Sequence, residues 1–280
     1  MRVPIHVVEA RREKLASLIE RHRYLPIGEL CRHLGVSEAT VRRDLAELAS
    51  RNKVKRTHGG ALAEFNERFP SFHERQASNA RGKARVARKA VRFLKPGGTY
   101  FLDSGTTIFA LAEAFREAPV SPMTIVTSNM PVGELLSSIP ELGVYLTAGQ
   151  ILGRQSVLLG ETARRSLEFW SFDMAFLSAE AANQDGIWNS QDSIVQQQLV
   201  AIRRSAHVVY CLDSSKIGGT APFPLKKWPD VDFLLTDAPA EKLARAGIHP
   251  GLVEIVSCNP DAPLPDIIPP GKPAFPIHYL

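Results

Sequence analysis

The sequence predicts an α/β domain built on a largely parallel sheet, preceded by a small basic module that is mainly helical. Three observations predict this division. At 280 residues the chain has the length of two domains rather than one. Its charge is uneven: residues 1–60 carry 13 lysines and arginines against 7 acidic residues, and the other 220 carry 21 against 22. From about Arg81 onward, helix-like and strand-like apolar patterns alternate, which is the signature of a parallel sheet with crossover helices. The expected boundaries are 1–62 for the basic module, 63–80 for a linker, 81–258 for the α/β domain and 259–280 for a tail with seven prolines, extended or disordered.

The basic module reads as three helices. From about Val8 to His22, Leu15, Leu18, Ile19 and His22 share one face. Pro26 opens a second helix, IGELCRHL, since a proline in the first turn gives up an N–H that has no partner there. Gly35 closes it, being able to take a positive φ without a Cβ penalty. Ser37 then caps a third helix, in which Val41, Leu45 and Leu48 recur at i, i+4 and i+7. Two short helices joined by a glycine-containing turn make a helix-turn-helix. The second helix of that motif enters the major groove by its N-terminal residues. Adjacent arginines add nothing to a core, so Arg42 and Arg43 gain a purpose: with Glu38 and Ala39 they would face base edges and phosphates. Ser37 and Thr40 would bond phosphate oxygens. The following RNKVKRTHGG suits a strand-turn wing, with Lys53, Lys55, Arg56 and His58 around Gly59 making phosphate contacts.

Several classes are not expected. No apolar run approaches the roughly 18 residues of a membrane span, and the start is too short in apolar residues for a signal peptide. Cys31, Cys211 and Cys258 are odd in number and far apart, which indicates neither a disulfide framework nor a zinc site. The histidines lack metal-ligand spacing. A reducing cytoplasm fits, with no metal and no cofactor.

In the larger domain, Lys83 to Leu94 reads as a helix, TYFLD as a buried strand and IFALAEAF as the next helix. MTIVTS, GVYLTAG, MAFLSA, HVVYCLD and DFLLTD are further strands. Asp103-Ser104-Gly105-Thr106-Thr107 lies where a strand hands over to a helix, where free N–H groups and the positive dipole end favour an anion. It is neither a P-loop nor a dinucleotide turn. Ser128 and Asn129, Gly149, and Asp213-Ser214-Ser215-Lys216 end other strands, and open parallel sheets bind ligands at those carboxyl ends. Lys216 is the obvious cation for a phosphate.

Arg11, Leu15 and Ile19, then seventeen residues, then Ser37 and Thr40-Val41-Arg42-Arg43-Asp44-Leu45 resemble the helix-turn-helix signature of the DeoR family of bacterial transcriptional regulators. KRTHGGA resembles that family's wing. The order DSGTT, TSN, G, FDMAFLSAE, DSSK, TD is similar to the family's sensor domain, and the likeness runs over about residues 8–255. It implies a ribose-5-phosphate isomerase-like fold and a pocket for a small phosphorylated metabolite, lined by Asp103, Ser104, Gly105, Thr106, Thr107, Ser128, Asn129, Gly149, Glu180 and Lys216. Two departures stand out. Ser178-Ala179-Glu180-Ala181 replaces the family's Gly-Ala-(Asp/Glu)-Gly, and Gln198 stands where the family has a lysine. The lost cation removes a second phosphate contact and points to a different or a less charged effector. The expected function is a DNA-binding regulator of a carbohydrate-metabolism operon, a repressor, bound to a double-stranded operator as a homodimer or higher even oligomer, with no membrane partner and no catalysis. The alternative is a sugar-phosphate isomerase-like enzyme fused to a nucleic-acid-binding module, using Asp103, Glu180 and Lys216.

Overall fold

In a computed structural model, residues 4–22, 24–51, 53–56, 60–63, 70–226, 228, 231–259 and 262–265 are described. The chain divides into two compact units, Met1–Pro70 with Ala221–Phe223, and Ser71–Thr220 with Pro224–Leu280.

The first unit contains α1 (Ile5–His22), β1 (Tyr24–Pro26), α2 (Ile27–Leu34), α3 (Glu38–Ser50), β2 (Val54–Arg56) and β3 (Gly60–Ala63). The strands form one antiparallel sheet in the order β1-β3-β2, with Lys55 opposite Leu62, so the basic segment after α3 is indeed a strand of a wing. One apolar cluster holds the unit together: Leu15 and Ile19 of α1, Ile27 and Leu30 of α2, Val41, Leu45 and Leu48 of α3, and Val54 of β2. Gly35 has φ +65°, and the N–H groups of Gly35 and Val36 both bond the Cys31 carbonyl, which ends α2 at the expected place. Ser37 accepts a hydrogen bond from the Thr40 N–H and caps α3.

The second unit begins with α4 (Phe72–Ala77) and α5 (Ala80–Ala90), followed by β4 (Thr99–Leu102), α6 (Thr106–Glu117), β5 (Met123–Thr127), α7 (Met130–Leu136) and β6 (Leu142–Leu146). Next come β7 (Gln150–Leu152), β8 (Val157–Leu159), α8 (Glu161–Glu168), β9 (Phe172–Leu177), β10 (Ala181–Asn183), β11 (Gly186–Asn189) and α9 (Asp192–Arg203). The last elements are β12 (Ser205–Leu212), β13 (Phe223–Lys226), β14 (Phe233–Thr236), α10 (Ala240–Arg245) and β15 (Glu254–Ser257). Seven strands form one sheet in the order β15-β14-β12-β9-β4-β5-β6, and every neighbouring pair is parallel. The six strands expected from apolar runs are all in it; β15 joins them at one edge. Helices cover the sheet, so its central strands are apolar on both faces. Val86, Ala90, Leu94, Ile108, Leu111 and Phe115 pack against Tyr100, Leu102, Met174 and Phe176 in a single core.

One segment differs from expectation. The stretch read as a linker over 63–80 contains α4. Its start is fixed by a reciprocal capping box between Ser71 and Glu74, and its one buried side chain, Phe72, meets the Phe109 ring edge-on at 5.4 Å. At the start of the proline-rich tail, Leu264 packs against the core and Lys89 donates to the carbonyls of Asn259 and Ala262. The remainder of the tail lies outside the described residues, apart from 262–265.

Candidate functional site

In the first unit, the residues expected to meet DNA lie on one side of α3. Ser37, Glu38, Ala39, Arg42 and Arg43 are exposed, Thr40 is half-buried, and Lys53 beyond the helix is exposed. The Ser37 and Thr40 hydroxyls bond each other at 3.0 Å. Arg42 donates to Glu38 one turn earlier, at 2.8 Å from Nε, whereas Arg43 makes no ion pair among the described residues. Lys55 and Arg56 belong to β2; His58 and Gly59 lie outside the described residues. The helix is held by a contact that sequence reading missed. Asp44, on its inner face, is 1% exposed and accepts from Arg11 at 2.6 Å and Arg12 at 3.0 Å. Two guanidinium groups of α1 thus compensate one buried carboxylate of α3.

In the second unit, the candidate effector residues sit at the carboxyl ends of five adjacent strands, β12, β9, β4, β5 and β6. Asp213 to Lys216 follow β12, Ser178 and Glu180 follow β9, Asp103 to Thr107 follow β4, Ser128 and Asn129 follow β5, and Gly149 follows β6. The parallel register therefore brings segments far apart in sequence to one rim. Helix α6 starts at Thr106 with Gly105 as its cap residue and no side chain capping it. Lys216 Nζ meets Glu180 Oε1 at 3.1 Å, so two expected effector contacts are paired with each other.

Other expected contacts support the loop from beneath. Asn129 is wholly buried; its Oδ1 accepts from the Val132 N–H to cap α7, and its Nδ2 donates to the Gly105 carbonyl. Ser128 is also wholly buried, and Asp103, Ser104, Thr106 and Thr107 are buried. Gly149 is exposed in the turn between β6 and β7. A Cβ on Gly105 would overlap the Ser178 hydroxyl, so the loop and the segment after β9 are in direct contact.

Sequence reading did not select Lys83 of α5, Arg75 of α4 or Asn79 between them. Asn79 adopts φ +48° and donates to Asp213 Oδ1 at 2.5 Å. The buried Lys83 ammonium donates to the carbonyls of Arg75 and Ser78. Burial pulls its pKa down, while Asp213 in its electrostatic reach favours the charged form; Lys216, Arg75 and Glu180 also act on it. Burial likewise lowers Arg75, against the attraction of Glu180. The available signal was a lysine on the same helical face as Val86 and Ala90, where an apolar residue is the norm. A cavity of about 410 Å³ between α5 and α6 has Lys83 and Thr106 on its wall but none of the other strand-end residues.

The sequences of both units match known protein families. Residues 11–67 match the DeoR-like helix-turn-helix domain, and residues 78–238 match the DeoR C-terminal sensor domain. The chain belongs to the DeoR family. Its relatives in the family include the glycerol-3-phosphate regulon repressor of Escherichia coli (strain K12), 32% identical over 230 residues that span 82% of this chain and 90% of the relative. The HTH-type transcriptional regulator GlpR of Haloferax volcanii is 28% identical over 88% of this chain and 96% of its own. The lactose phosphotransferase system repressor of Staphylococcus aureus (strain N315) is 30% identical over 74% of this chain and 83% of its own. A ribose 5-phosphate isomerase from Methanocaldococcus jannaschii aligns with 50% of this chain and 55% of its own at 19% identity, a weak likeness with a TM-score of 0.36. As a DeoR-family member, the chain is a helix-turn-helix transcriptional regulator. Among the described residues, no helix is long and apolar enough to cross a membrane.

Proposed function

We propose that the chain is a cytoplasmic repressor of a carbohydrate-metabolism operon, binding its operator as a homodimer or higher even oligomer under the control of a phosphorylated sugar or a similar anionic metabolite. The observation that carries the DNA reading is the Ser37-capped helix, whose exposed side bears Ala39, Arg42 and Arg43 while its other side is packed. Arginine's planar fork matches guanine O6 and N7 together. Paired half-sites are the usual target of so small a module, and this favours a dimer. The effector reading rests on the strand-end rim of Asp103 to Thr107, Glu180 and Lys216.

An isomerase needs a carboxylate available to a substrate proton. Asp103 is buried among four donor groups and Glu180 is paired with Lys216, which speaks against the enzyme alternative. The test is selection of a binding site from random duplexes by the full chain, followed by fluorescence anisotropy. The expected result is a defined, two-fold symmetric sequence that the double variant Arg42→Ala/Arg43→Ala no longer binds. Unaltered binding by that variant would take α3 out of the interface. Sedimentation of the operator-bound chain as a monomer would contradict the assembly.

A further inference from the structure

Strand β6 is one edge of the seven-stranded sheet; among the described residues it pairs with β5 and with no other strand. Its backbone groups alternate in direction. The Thr147 N–H donates to the Thr127 carbonyl at 2.9 Å, so residues 143, 145 and 147 turn toward β5. Leu142, Val144 and Leu146 therefore turn their N–H and C=O groups outward. Such a row is a template for another strand, and sheets ordinarily guard it with charge, proline or a bulge. The opposite edge, β15, carries the exposed Glu254. From Leu142 to Gly153, between Glu141 and Arg154, there is neither a charged residue nor a proline.

Exposed apolar side chains collect at the same place. Among the described residues of the second unit, the large ones are Val120, Tyr145, Leu146, Ile151 and Phe169. Tyr145 and Leu146, 44% and 48% exposed, are on β6 itself, and Ile151 follows on β7. Phe169 adjoins Trp170, whose ring centroid lies 4.9 Å from that of Tyr145. Val120 adjoins Ser121, whose hydroxyl bonds Glu141 just before the strand. An apolar patch gathered round an unguarded edge marks a protein interface, whereas single scattered residues would not.

The residue order along the strand selects the partner. In LGVYL, one face reads Leu142, Val144, Leu146, the same in both directions. A two-fold axis beside Val144 would pair β6 antiparallel with β6 of a second copy. Val144 then faces its own counterpart and Leu142 faces the second copy's Leu146. These are the outward-facing residues, so each such pair can exchange ladder hydrogen bonds. On the other face Tyr145 meets the second copy's Gly143, which leaves space for the ring. An axis at Gly143 or Tyr145 would leave Leu146 or Leu142 without an apolar match. A two-fold contact must be self-complementary, and an uncharged strand brings no like charges together across the axis.

We infer that β6 is the self-association edge of the chain, pairing antiparallel with β6 of a second copy so that two seven-stranded sheets run on into one. This rests on the oligomer reading above and gives it a surface. The test is sedimentation velocity of the full chain at micromolar concentration, together with a cysteine cross-link. Leu146→Glu sets a charge against the second copy's Leu142 and should weaken self-association at least about tenfold. Thermal melts followed by circular dichroism report whether that variant is folded. Val144→Cys is the milder change. Across the axis the two Cα atoms at 144 would stand about 5.5 Å apart, within the reach of a disulfide. Mild oxidation or a short bis-maleimide should give a linked dimer well above the level that Cys31, Cys211 and Cys258 allow in wild type. Adding a folded Leu146→Glu should remove it. If the wild type is dimeric and Val144→Cys does not link, the β6 pairing is wrong while the oligomer reading stands. A monomeric wild type overturns both, and protection of the introduced thiol from maleimide in it would mean that another segment of the same chain covers the edge.

Discussion

Asp44 and Arg43 sit next to each other on α3 and do opposite work. Asp44 turns inward to Arg11 and Arg12, and removing it leaves the largely covered Arg11 without its counter-charge and Arg12 with Glu9 alone. Asp44→Ala should therefore cost about 3 kcal/mol of stability in the first unit, the low end for a broken buried pair because the arginines keep some solvent. Chemical denaturation followed by tryptophan-independent far-UV circular dichroism measures it. Arg43 turns outward. Arg43→Ala should leave stability within about 0.5 kcal/mol of wild type and lower operator affinity by roughly 1–3 kcal/mol, concentrated at one base pair. Lys53→Ala should instead weaken all sequences alike and reduce the salt slope by about one unit. Arg42 differs from Arg43 in being held by Glu38, so its contact with DNA requires that pair to open or Glu38 to join the interface. The Val41, Leu45 and Leu48 stripe was legible from spacing alone. The Asp44 pairing was not, because its partners lie 32 and 33 residues away and no local pattern links them.

Among the elements, the seven-stranded sheet was largely legible because strands buried on both faces are written as continuous apolar runs. What escaped was short or lightly buried. The hairpins β7–β8 and β10–β11 have strands of three or four residues, too brief for a period to show. Helix α4 buries one side chain, so its apolar pattern is a single Phe72; the Ser71-to-Glu74 capping box was the signal that remained. The site follows the same rule. DSGTT and DSSK stand out as polar turns after strands, but apart from Ser104 the donors to Asp103 come from the segment after β9 and from α9, with β11 and β12 bonding Gln198 in turn, and these meet only through the fold. One contact tests that assembly directly. Gly105→Ala pushes a methyl into the Ser178 hydroxyl and should destabilise by roughly 1–3 kcal/mol, as overpacking does. Adding Ser178→Gly should recover most of the loss in a thermal melt. Additive losses in the double variant would show that loop 103–107 and the segment after β9 do not meet as described.

At the scale of the whole molecule, the proposed function assigns DNA reading to one unit and ligand reading to the other, and control then requires a free energy shared between them. A ligand shifts operator binding only by as much as its own affinity differs between the free and DNA-bound states. A coupling of about 1–3 kcal/mol changes operator affinity 5–150-fold, and operator must change effector affinity by the same factor. Both legs can be measured on one sample: anisotropy of labelled operator with effector added, and calorimetry of effector with operator added. Equal factors are expected, and unequal ones would mean that effector acts on a different assembly state than the one that binds DNA. The double variant Thr106→Ala/Lys216→Ala should abolish the response at the wild-type effector concentration. It should leave ligand-free operator affinity unchanged, because both residues belong to the second unit and neither lies on α3 or the wing. Loss of operator binding in ligand-free variant protein would indicate instead that the Lys216–Glu180 pair holds the binding-competent state together, so that effector works by competing for Lys216 rather than by adding contacts of its own.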